Sequence, residues 1–185
     1  MKLPPKPHPC LALSQKEELF CSLPEDIQKH SRRVGEYVRR LAQQILENEK
    51  GSLTQEDLER LEGVELLGRY HDLGKADIPD AIWNKTGPLS QTEWKLAQNH
   101  TIHGSYLMIY QINAPGHESP EPGWWEAAAQ CCQYHHERWD GTGYPFGLAG
   151  EDIPYLARLV SIADAYEAMT AGRSYQEGIG AREAL

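Results

Sequence analysis

The sequence lacks the features that would place it in a membrane or outside the cell. No apolar run approaches the roughly 20 residues that a membrane-spanning helix needs. The opening stretch, residues 1–7, contains no apolar core of a signal peptide. The four cysteines form no Cys-x-x-Cys motif, and Cys131 and Cys132 are adjacent. This usage favours a reduced, cytoplasmic setting over a disulfide framework.

Basic residues are scarce relative to acidic ones. The 18 lysines and arginines are outnumbered by 27 aspartates and glutamates, which gives a net charge of −9 at pH 7. This balance argues against binding of a nucleic acid polymer through a broad basic surface. An anionic small molecule is still compatible with the charge, because bound divalent cations reverse the sign of the local field.

The period-two alternation that marks a half-buried strand is also missing. Apolar residues recur instead at helical spacing, with arginines and glutamines between them. The pairs Thr54–Asp57 and Ser90–Glu93 are capping boxes, which predict the starts of two helices. The pattern predicts an all-α protein.

The length of 185 residues suits one domain with a real core and is too short for two. We expect residues 1–25 to form a proline-rich N-terminal extension with one short helix, and residues 26–185 to form the domain. The last three residues, 183–185, read as the first turn of another helix. We therefore expect the domain to be truncated at its C-terminus.

Several ionisable side chains stand inside apolar helical stretches, where a core would prefer leucine. They are His30, His71, Asp72, His100, His135, His136 and Asp164. Burying such groups without partners is strongly unfavourable, so a compact fold needs a reason for them. Divalent metals supply one, since histidine nitrogen and aspartate oxygen together suit iron, manganese or zinc. Two ions roughly 3.5–4 Å apart can generate hydroxide and clamp a phosphoryl group.

The adjacent histidines place a geometric condition on such a site. Neighbouring residues point about 100° apart on a helix, so His135 and His136 cannot share one helical face. As ligands they must bind different metals or lie where a helix is ending. Gly141, Gly143 and Pro145 follow at once, and this punctuation favours a helix end.

Two segments resemble the motifs of the HD-GYP branch of the HD superfamily of metal-dependent phosphohydrolases. They are residues 70–75 (YHDLGK) and residues 135–145, which end in Gly143-Tyr144-Pro145. Further matches are residues 87–90, 100–104 and 162–166. The likeness covers about residues 26–185. It implies an HD-domain helical bundle around a polynuclear metal site that hydrolyses cyclic di-GMP to the linear dinucleotide and, in some members, to GMP.

The resemblance also implies roles for individual residues. The metal ligands would be His30, His71, Asp72, His100, His135, His136 and Asp164. They would bind two or three divalent ions, with iron or manganese the first choice and zinc or nickel next. Asp72 would bridge two metals, and a bridging hydroxide would attack phosphorus in line. Lys75 would bind the scissile phosphate, and Arg173 a phosphate or guanine. Gly143, Tyr144 and Pro145 would shape the substrate pocket.

The sequence departs from the family pattern at several positions. Members with a third metal usually carry a glutamate four residues before the first histidine, and here that residue is Asp26. Its i, i+4 spacing from His30 puts both on one helical face. Glu167 and Ser174 stand where the family usually has aspartate and proline. We interpret these last two changes as lying around the substrate, away from the metal ligands.

Several alternatives for single residues stay open. Asp26 serves equally well as an acid at a helix N-terminus, and Lys75 as a cation at a helix C-terminus. His103, one turn after His100, is either a further ligand or a neighbour of the site. The pair Trp124-Trp125 either anchors a helix in the bundle or stacks on a base.

The function and the partners leave alternatives as well. An HD phosphohydrolase could act on another nucleotide, such as cyclic GMP-AMP or a mononucleotide. A metal-bound sensor or interaction module without turnover is the alternative from a different class. The loop at Gly143-Tyr144-Pro145 could also present a surface to a protein partner, and the chain could form a homo-oligomer.

Overall fold

The computed structural model describes residues 11–112 and 122–171, and they are helical and loop structure throughout. The α-helices are α1 (Leu11–Ser22), α2 (Glu25–Lys50), α3 (Gln55–Tyr70), α4 (Asp80–Trp83), α5 (Gln91–Gln98), α6 (His100–Ile112), α7 (Pro122–Tyr134) and α8 (Tyr155–Thr170). Two short 3₁₀ helices span Leu73–Asp77 and Gly150–Asp152. No strand occurs within these ranges beyond one isolated bridge, so the all-α prediction is confirmed.

The predicted capping boxes fix where two of the helices begin. At the start of α3 the Asp57 amide donates to Thr54 Oγ1 over 3.1 Å, and the Thr54 amide donates to Asp57 Oδ2 over 3.1 Å. Ser90 and Glu93 make the same reciprocal pair at the start of α5. These bonds satisfy amide groups that have no partner within the helix, so both predictions are confirmed.

The core lies where the long helices pack against one another. The long helix α2 packs against α3 and α8, and α6 packs against α7 and the first 3₁₀ helix. Trp124 and Trp125 of α7 are fully buried, and Trp124 Nε1 donates to the Gly63 carbonyl over 3.0 Å. The pair therefore anchors α7 in the bundle, and its base-stacking alternative is wrong.

The N-terminal helix α1 contributes to the same core. Phe20 of this helix and Leu23 just after it are buried in the core. Glu17 accepts hydrogen bonds from Arg69 and from the Tyr70 hydroxyl at the end of α3. The division into residues 1–25 and 26–185 stays a prediction. None of the helices in the described part of the chain is long and apolar enough to cross a bilayer.

Candidate metal centre

The seven predicted ligands come together in two adjoining groups. The first cluster consists of Asp72, His100, His135 and His136. The second cluster consists of His30, His71 and Asp164. Within each cluster one candidate donor atom from every residue lies within 4.8 Å of the others. Residues from five different helices and the turns after them thus converge on one place in the fold.

Asp72 belongs to the first cluster and presents its other oxygen to the second. Its Oδ1 is 3.3 Å from His100 Nε2 and 3.8 Å from His135 Nε2. Its Oδ2 is 3.4 Å from His71 Nε2 and 3.8 Å from His30 Nε2. A carboxylate divided in this way has the geometry needed to bridge two cations.

Three of the imidazoles are held by backbone carbonyls. His71 Nδ1 lies 2.6 Å from the Gly68 carbonyl, His100 Nδ1 lies 2.7 Å from that of Ala97, and His135 Nδ1 lies 2.9 Å from that of Cys131. With the proton on Nδ1, each ring donates to its carbonyl. The Nε2 lone pair then faces the cluster, as a metal ligand requires.

The protonation states of the first cluster favour a cation. Burial alone would raise the pKa of Asp72, but the Lys75 ammonium and His71 hold it well below its ordinary value. Burial, together with the neighbouring His100, lowers the pKa of His136 to about 4. Burial and the adjacent His136 likewise hold the pKa of His135 well below its ordinary value. Near neutral pH these residues therefore offer neutral nitrogens and an ionised carboxylate.

The orphaned polar atoms at this place also fit a divalent cation. Asp72 Oδ1 and His71 Nε2 are buried and have no hydrogen-bond partner within the protein. Leaving such atoms without a partner is unfavourable, whereas coordination would satisfy both. The mixed nitrogen and oxygen donors suit iron, manganese or zinc.

The turn after α3 places the HD pair against α6. α3 ends at Tyr70, and His71 and Asp72 lead into the first 3₁₀ helix. A Cβ atom at Gly74 would lie only 2.0 Å from the His100 carbonyl oxygen and 2.4 Å from the Gly104 amide nitrogen. Any side chain at Gly74 would thus force the start of α6, with His100, away from Asp72.

The paired histidines lie where a helix ends, as the glycine-rich sequence predicted. α7 finishes at Tyr134, and the next two residues leave the helical path. Their ring centroids are 4.1 Å apart, and both imidazoles belong to the first cluster. Tyr144 stacks on His136, with the centroids 4.7 Å apart and the planes 27° from parallel.

The sequence did not point to Glu137, which holds this loop together. The carboxylate is buried and accepts hydrogen bonds from the Phe146 amide (2.7 Å) and the Leu148 amide (3.0 Å). The signal that could have revealed it is an acid placed directly before a glycine-rich turn, since such a turn has amide groups that need acceptors. Gly143 is equally constrained, because a Cβ there would lie 2.4 Å from the Arg138 amide nitrogen.

Lys75 reaches the centre from the first 3₁₀ helix. Its ammonium donates to Asp72 Oδ2 and lies 5.1 Å from the centroid of the Trp83 ring. The aliphatic stem is largely covered, with 18% of the side chain exposed. Lys75 therefore places a positive charge directly beside the Asp72 carboxylate.

Other predicted residues lie apart from the clusters. Asp26 is exposed and belongs to neither cluster, so its role as a third-metal ligand stays a prediction. His103 Nδ1 is 3.6 Å from Asp77 Oδ2 and also belongs to neither cluster, which favours the neighbour alternative. Arg173 and Ser174 lie outside the described residues.

The interpretation of Glu167 as a change away from the metal ligands is wrong. Its carboxylate is hydrogen-bonded to His30 Nδ1 and accepts another hydrogen bond from Arg33 Nε over 2.7 Å. Glu167 follows Asp164 by three residues on α8, so the two side chains project from one face. The sequence could not reveal this contact, because it joins two helices at opposite ends of the chain.

Comparison with known proteins assigns the family. A model of the HD domain matches residues 15–185, which is most of the chain. The chain belongs to the HD domain family. Its two motifs and its relatives confirm the resemblance to the HD-GYP branch.

Two relatives illustrate the match. A cyclic di-GMP phosphodiesterase of Pseudomonas aeruginosa is 40% identical over 122 residues, covering 65% of this chain and 27% of that protein. A 3'3'-cGAMP-specific phosphodiesterase of Vibrio cholerae is 32% identical over 163 residues, covering 87% of this chain and 29% of that protein. The chain thus spans less than a third of the length of these curated relatives.

A solved structure shares the fold of this HD domain. It is an HDG"Y"P protein from Bdellovibrio bacteriovorus, with a TM-score of 0.58 and 24% identity. The match covers 85% of this chain and 44% of that protein. The helical-bundle prediction is therefore confirmed at the level of the fold.

Proposed function

We propose that this HD domain is a metal-dependent phosphodiesterase that hydrolyses cyclic di-GMP to the linear dinucleotide, with GMP as a further product. The observation that carries the proposal is the position of Asp72, whose two oxygens face two histidine-bearing clusters. The names of several relatives support the substrate, since they are cyclic di-GMP phosphodiesterases.

The proposed centre holds two divalent ions, one in each cluster. His100, His135 and His136 would bind one ion, and His30, His71 and Asp164 the other, with Asp72 shared between them. Iron or manganese is our first choice for these donors, and zinc or nickel the next. When bound, such ions supply a hydroxide nucleophile and neutralise charge on the phosphate. A third ion would depend on Asp26.

The side chains around the centre would bind and orient the substrate. Lys75 offers a compact cation beside Asp72, suited to an oxygen of the scissile phosphate. Tyr144 holds His136 by stacking, and with Gly143 and Pro145 it would form one wall of the pocket. Arg173 is proposed to bind a phosphate or a guanine.

A second substrate has a specific observation in its favour. Relatives that act on 3'3'-cGAMP align over 84% to 87% of this chain. Both molecules are cyclic dinucleotides with two phosphodiester links, so the same metal centre would serve either. The rate ratio between the two substrates, measured on one preparation, decides between them.

Location and association are also proposals. Cys21, Cys131 and Cys132 are free thiols, which supports a reduced setting such as the cytoplasm. A protein partner at the Gly143-Tyr144-Pro145 loop and a homo-oligomer stay predictions.

The decisive experiment is anaerobic purification with metal analysis, followed by incubation with cyclic di-GMP and chromatography of the products. We expect two ions or more per chain and the appearance of linear dinucleotide or GMP. Asp72→Ala should abolish turnover and lower the metal content. Full metal content with the substrate intact would favour a sensor, and wild-type activity in Asp72→Ala would refute the mechanism.

A further inference from the structure

His30 is oriented by a side chain, unlike the three imidazoles that are held by backbone carbonyls. Its Nδ1 is hydrogen-bonded to Glu167, and its Nε2 lies 3.1 Å from Asp164 Oδ1. Both acids belong to α8, one turn apart, so a single helix contacts both nitrogens of the ring. His30 itself belongs to α2, so the contact also joins two long helices across the bundle.

Glu167 is held in place by a second partner, the Arg33 guanidinium. Its side chain is only 3% exposed, and its other oxygen accepts hydrogen bonds from the Arg33 guanidinium, with Nε at 2.7 Å. Arg33 follows His30 by three residues on α2 and is partly exposed. Arg33 thus neutralises a buried carboxylate that would otherwise be unfavourable at this position.

We propose that Glu167 is a positioning residue for one of the two metal ions. It keeps the proton of His30 on Nδ1, so that the Nε2 lone pair points into the second cluster, and it makes this nitrogen more basic. A carboxylate behind a metal-binding histidine acts in this way, and its loss typically lowers metal affinity about 10- to 100-fold. The inference rests on the proposed metal centre.

The proposal predicts a selective loss. Glu167 contacts His30, which belongs to the second cluster, whereas His100 and His135 of the first cluster are held by backbone carbonyls. Removing Glu167 should therefore lower the affinity for one ion and leave the affinity for the other unchanged. A general destabilisation of the helical bundle would instead lower the affinity for both ions.

The test is an anaerobic titration of the metal-free protein with Mn²⁺, in which free Mn²⁺ is followed by electron paramagnetic resonance. In Glu167→Ala we expect the affinity for one of two ions to fall about 10- to 100-fold. Glu167→Gln retains a hydrogen-bond acceptor, so its affinity for that ion should fall less. Glu167→Asp retains the carboxylate, and its affinity should fall least. The matched control is Glu65→Gln, which removes a 3.1 Å ion pair with Arg39 between α2 and α3.

Each outcome of the titration has a defined meaning. Wild-type affinity for both ions in Glu167→Ala, or an equal loss at both, overturns the positioning role. Arg33→Met is a second test, because it keeps Glu167 but removes its hydrogen bonds with Arg33. The affinity for the same ion should then fall to a smaller extent. A wild-type protein that binds no Mn²⁺, Fe²⁺ or Zn²⁺ overturns the metal centre itself.

A separate observation concerns the rim of the centre. Trp94 on α5 is 49% exposed, and its ring meets Tyr144 edge to face with the centroids 6.0 Å apart. Tyr144 in turn stacks on His136 of the first cluster. Tyr144 therefore contacts both a histidine of the first cluster and a solvent-exposed indole. Lys75 provides the positive charge at the same centre.

We infer that Trp94 offers a stacking face to one purine base of the cyclic dinucleotide while the phosphate lies at the metal centre. Stacking on indole suits any purine, so the subsite would serve both guanine and adenine. This inference rests on the proposed phosphodiesterase activity.

A comparison of two substrates tests this subsite. Methyl p-nitrophenyl phosphate is a phosphodiester without a purine, and its only ring is the leaving group. The ratio of kcat/KM for cyclic di-GMP to that for this diester therefore reports on the base. We expect Trp94→Leu to lower the ratio about tenfold through KM, and Trp94→Phe to restore most of it. The control is Tyr106→Leu, which removes an exposed aromatic ring from α6. An unchanged ratio in Trp94→Leu overturns the subsite, and no hydrolysis of either diester by the wild type overturns the activity.

Discussion

The Tyr144 ring lies nearly parallel to the His136 imidazole, 4.7 Å away between centroids. The tyrosine of the Gly-Tyr-Pro motif thus supports a candidate metal ligand by direct contact. The contact uses the ring face, so the hydroxyl is not needed for it.

We therefore expect Tyr144→Phe and Tyr144→Ala to differ. Phenylalanine keeps the stacked ring, so Mn²⁺ affinity should stay within about twofold of wild type. Alanine removes an aromatic pair that contributes about 0.5–1.5 kcal/mol, and the affinity of one ion should fall roughly 2- to 12-fold. Phe146→Ala, which removes an exposed ring of the same loop, is the control. Equal losses for Phe and Ala would show that the hydroxyl matters instead.

The close approach at Gly74 predicts a large effect from the smallest side chain. In Gly74→Ala the Cβ would meet the His100 carbonyl, so α6 must shift, and we expect a loss of about 1–3 kcal/mol in the free energy of unfolding. Metal content should fall as well, because His100 moves. Gly87→Ala is the matched control, since a Cβ there meets nothing within 4 Å. Urea unfolding of the metal-free proteins measures the stability, and metal analysis of the proteins as purified measures the metal content. Equal stability of the two variants would contradict this account.

Glu137 should matter for the loop more than an ordinary surface acid does. Glu137→Ala leaves the Phe146 and Leu148 amides without their acceptor, which should lower the free energy of unfolding by about 2 kcal/mol or more. Because the loop carries Tyr144, the kcat/KM value should fall too. Glu151→Ala, an exposed acid on the second 3₁₀ helix, should change neither quantity. Denaturant titration and steady-state kinetics give the two readouts.

The metal-free protein should lose stability on both sides of about pH 6.5. The pKa of His136 is lowered from 6.5 to about 4. Between these two pH values the unfolded chain binds a proton at this histidine and the folded chain does not, so the free energy of unfolding falls as the pH falls. For this histidine the loss is on the order of 3 kcal/mol. The pKa of His30 is raised to about 9, chiefly by hydrogen bonds with Asp164 and Glu167 that outweigh burial. Its contribution is complete below pH 6.5 and is lost as the pH rises to 9.

Thermal unfolding of the metal-free protein between pH 4 and 9.5 measures both limbs. The alkaline limb should shrink in His30→Gln, and the acid limb should persist in that variant. A flat profile above pH 7 in the wild type would contradict the role given to His30.

The fold and the candidate ligands were predictable because their signals are local. A histidine or aspartate inside an apolar helical pattern is visible in the sequence, as are the caps at Thr54 and Ser90. The glycines that follow His135 likewise predicted the end of α7 before that residue. These features depend on residues a few positions apart.

The supporting contacts were not predictable because they depend on which helices meet. Glu167 reaches His30 only because α8 packs against α2, and the two residues are 137 positions apart. Trp124 and Trp125 could have been exposed or buried until the packing of α7 was known. Pattern and composition do not specify such long-range pairs.

The difference between carbonyl-held and carboxylate-held imidazoles bears on how such a domain can evolve. No point mutation deletes a main-chain oxygen. The hydrogen bonds from the Nδ1 atoms of His71, His100 and His135 to backbone carbonyls therefore do not depend on which side chain the supporting residue carries. His30 differs, because a single substitution at position 167 removes the side chain that contacts its Nδ1. With the proposed metal centre, one substitution at this position would therefore change the affinity for a single ion, while the backbone contacts of the other three imidazoles stay as they are.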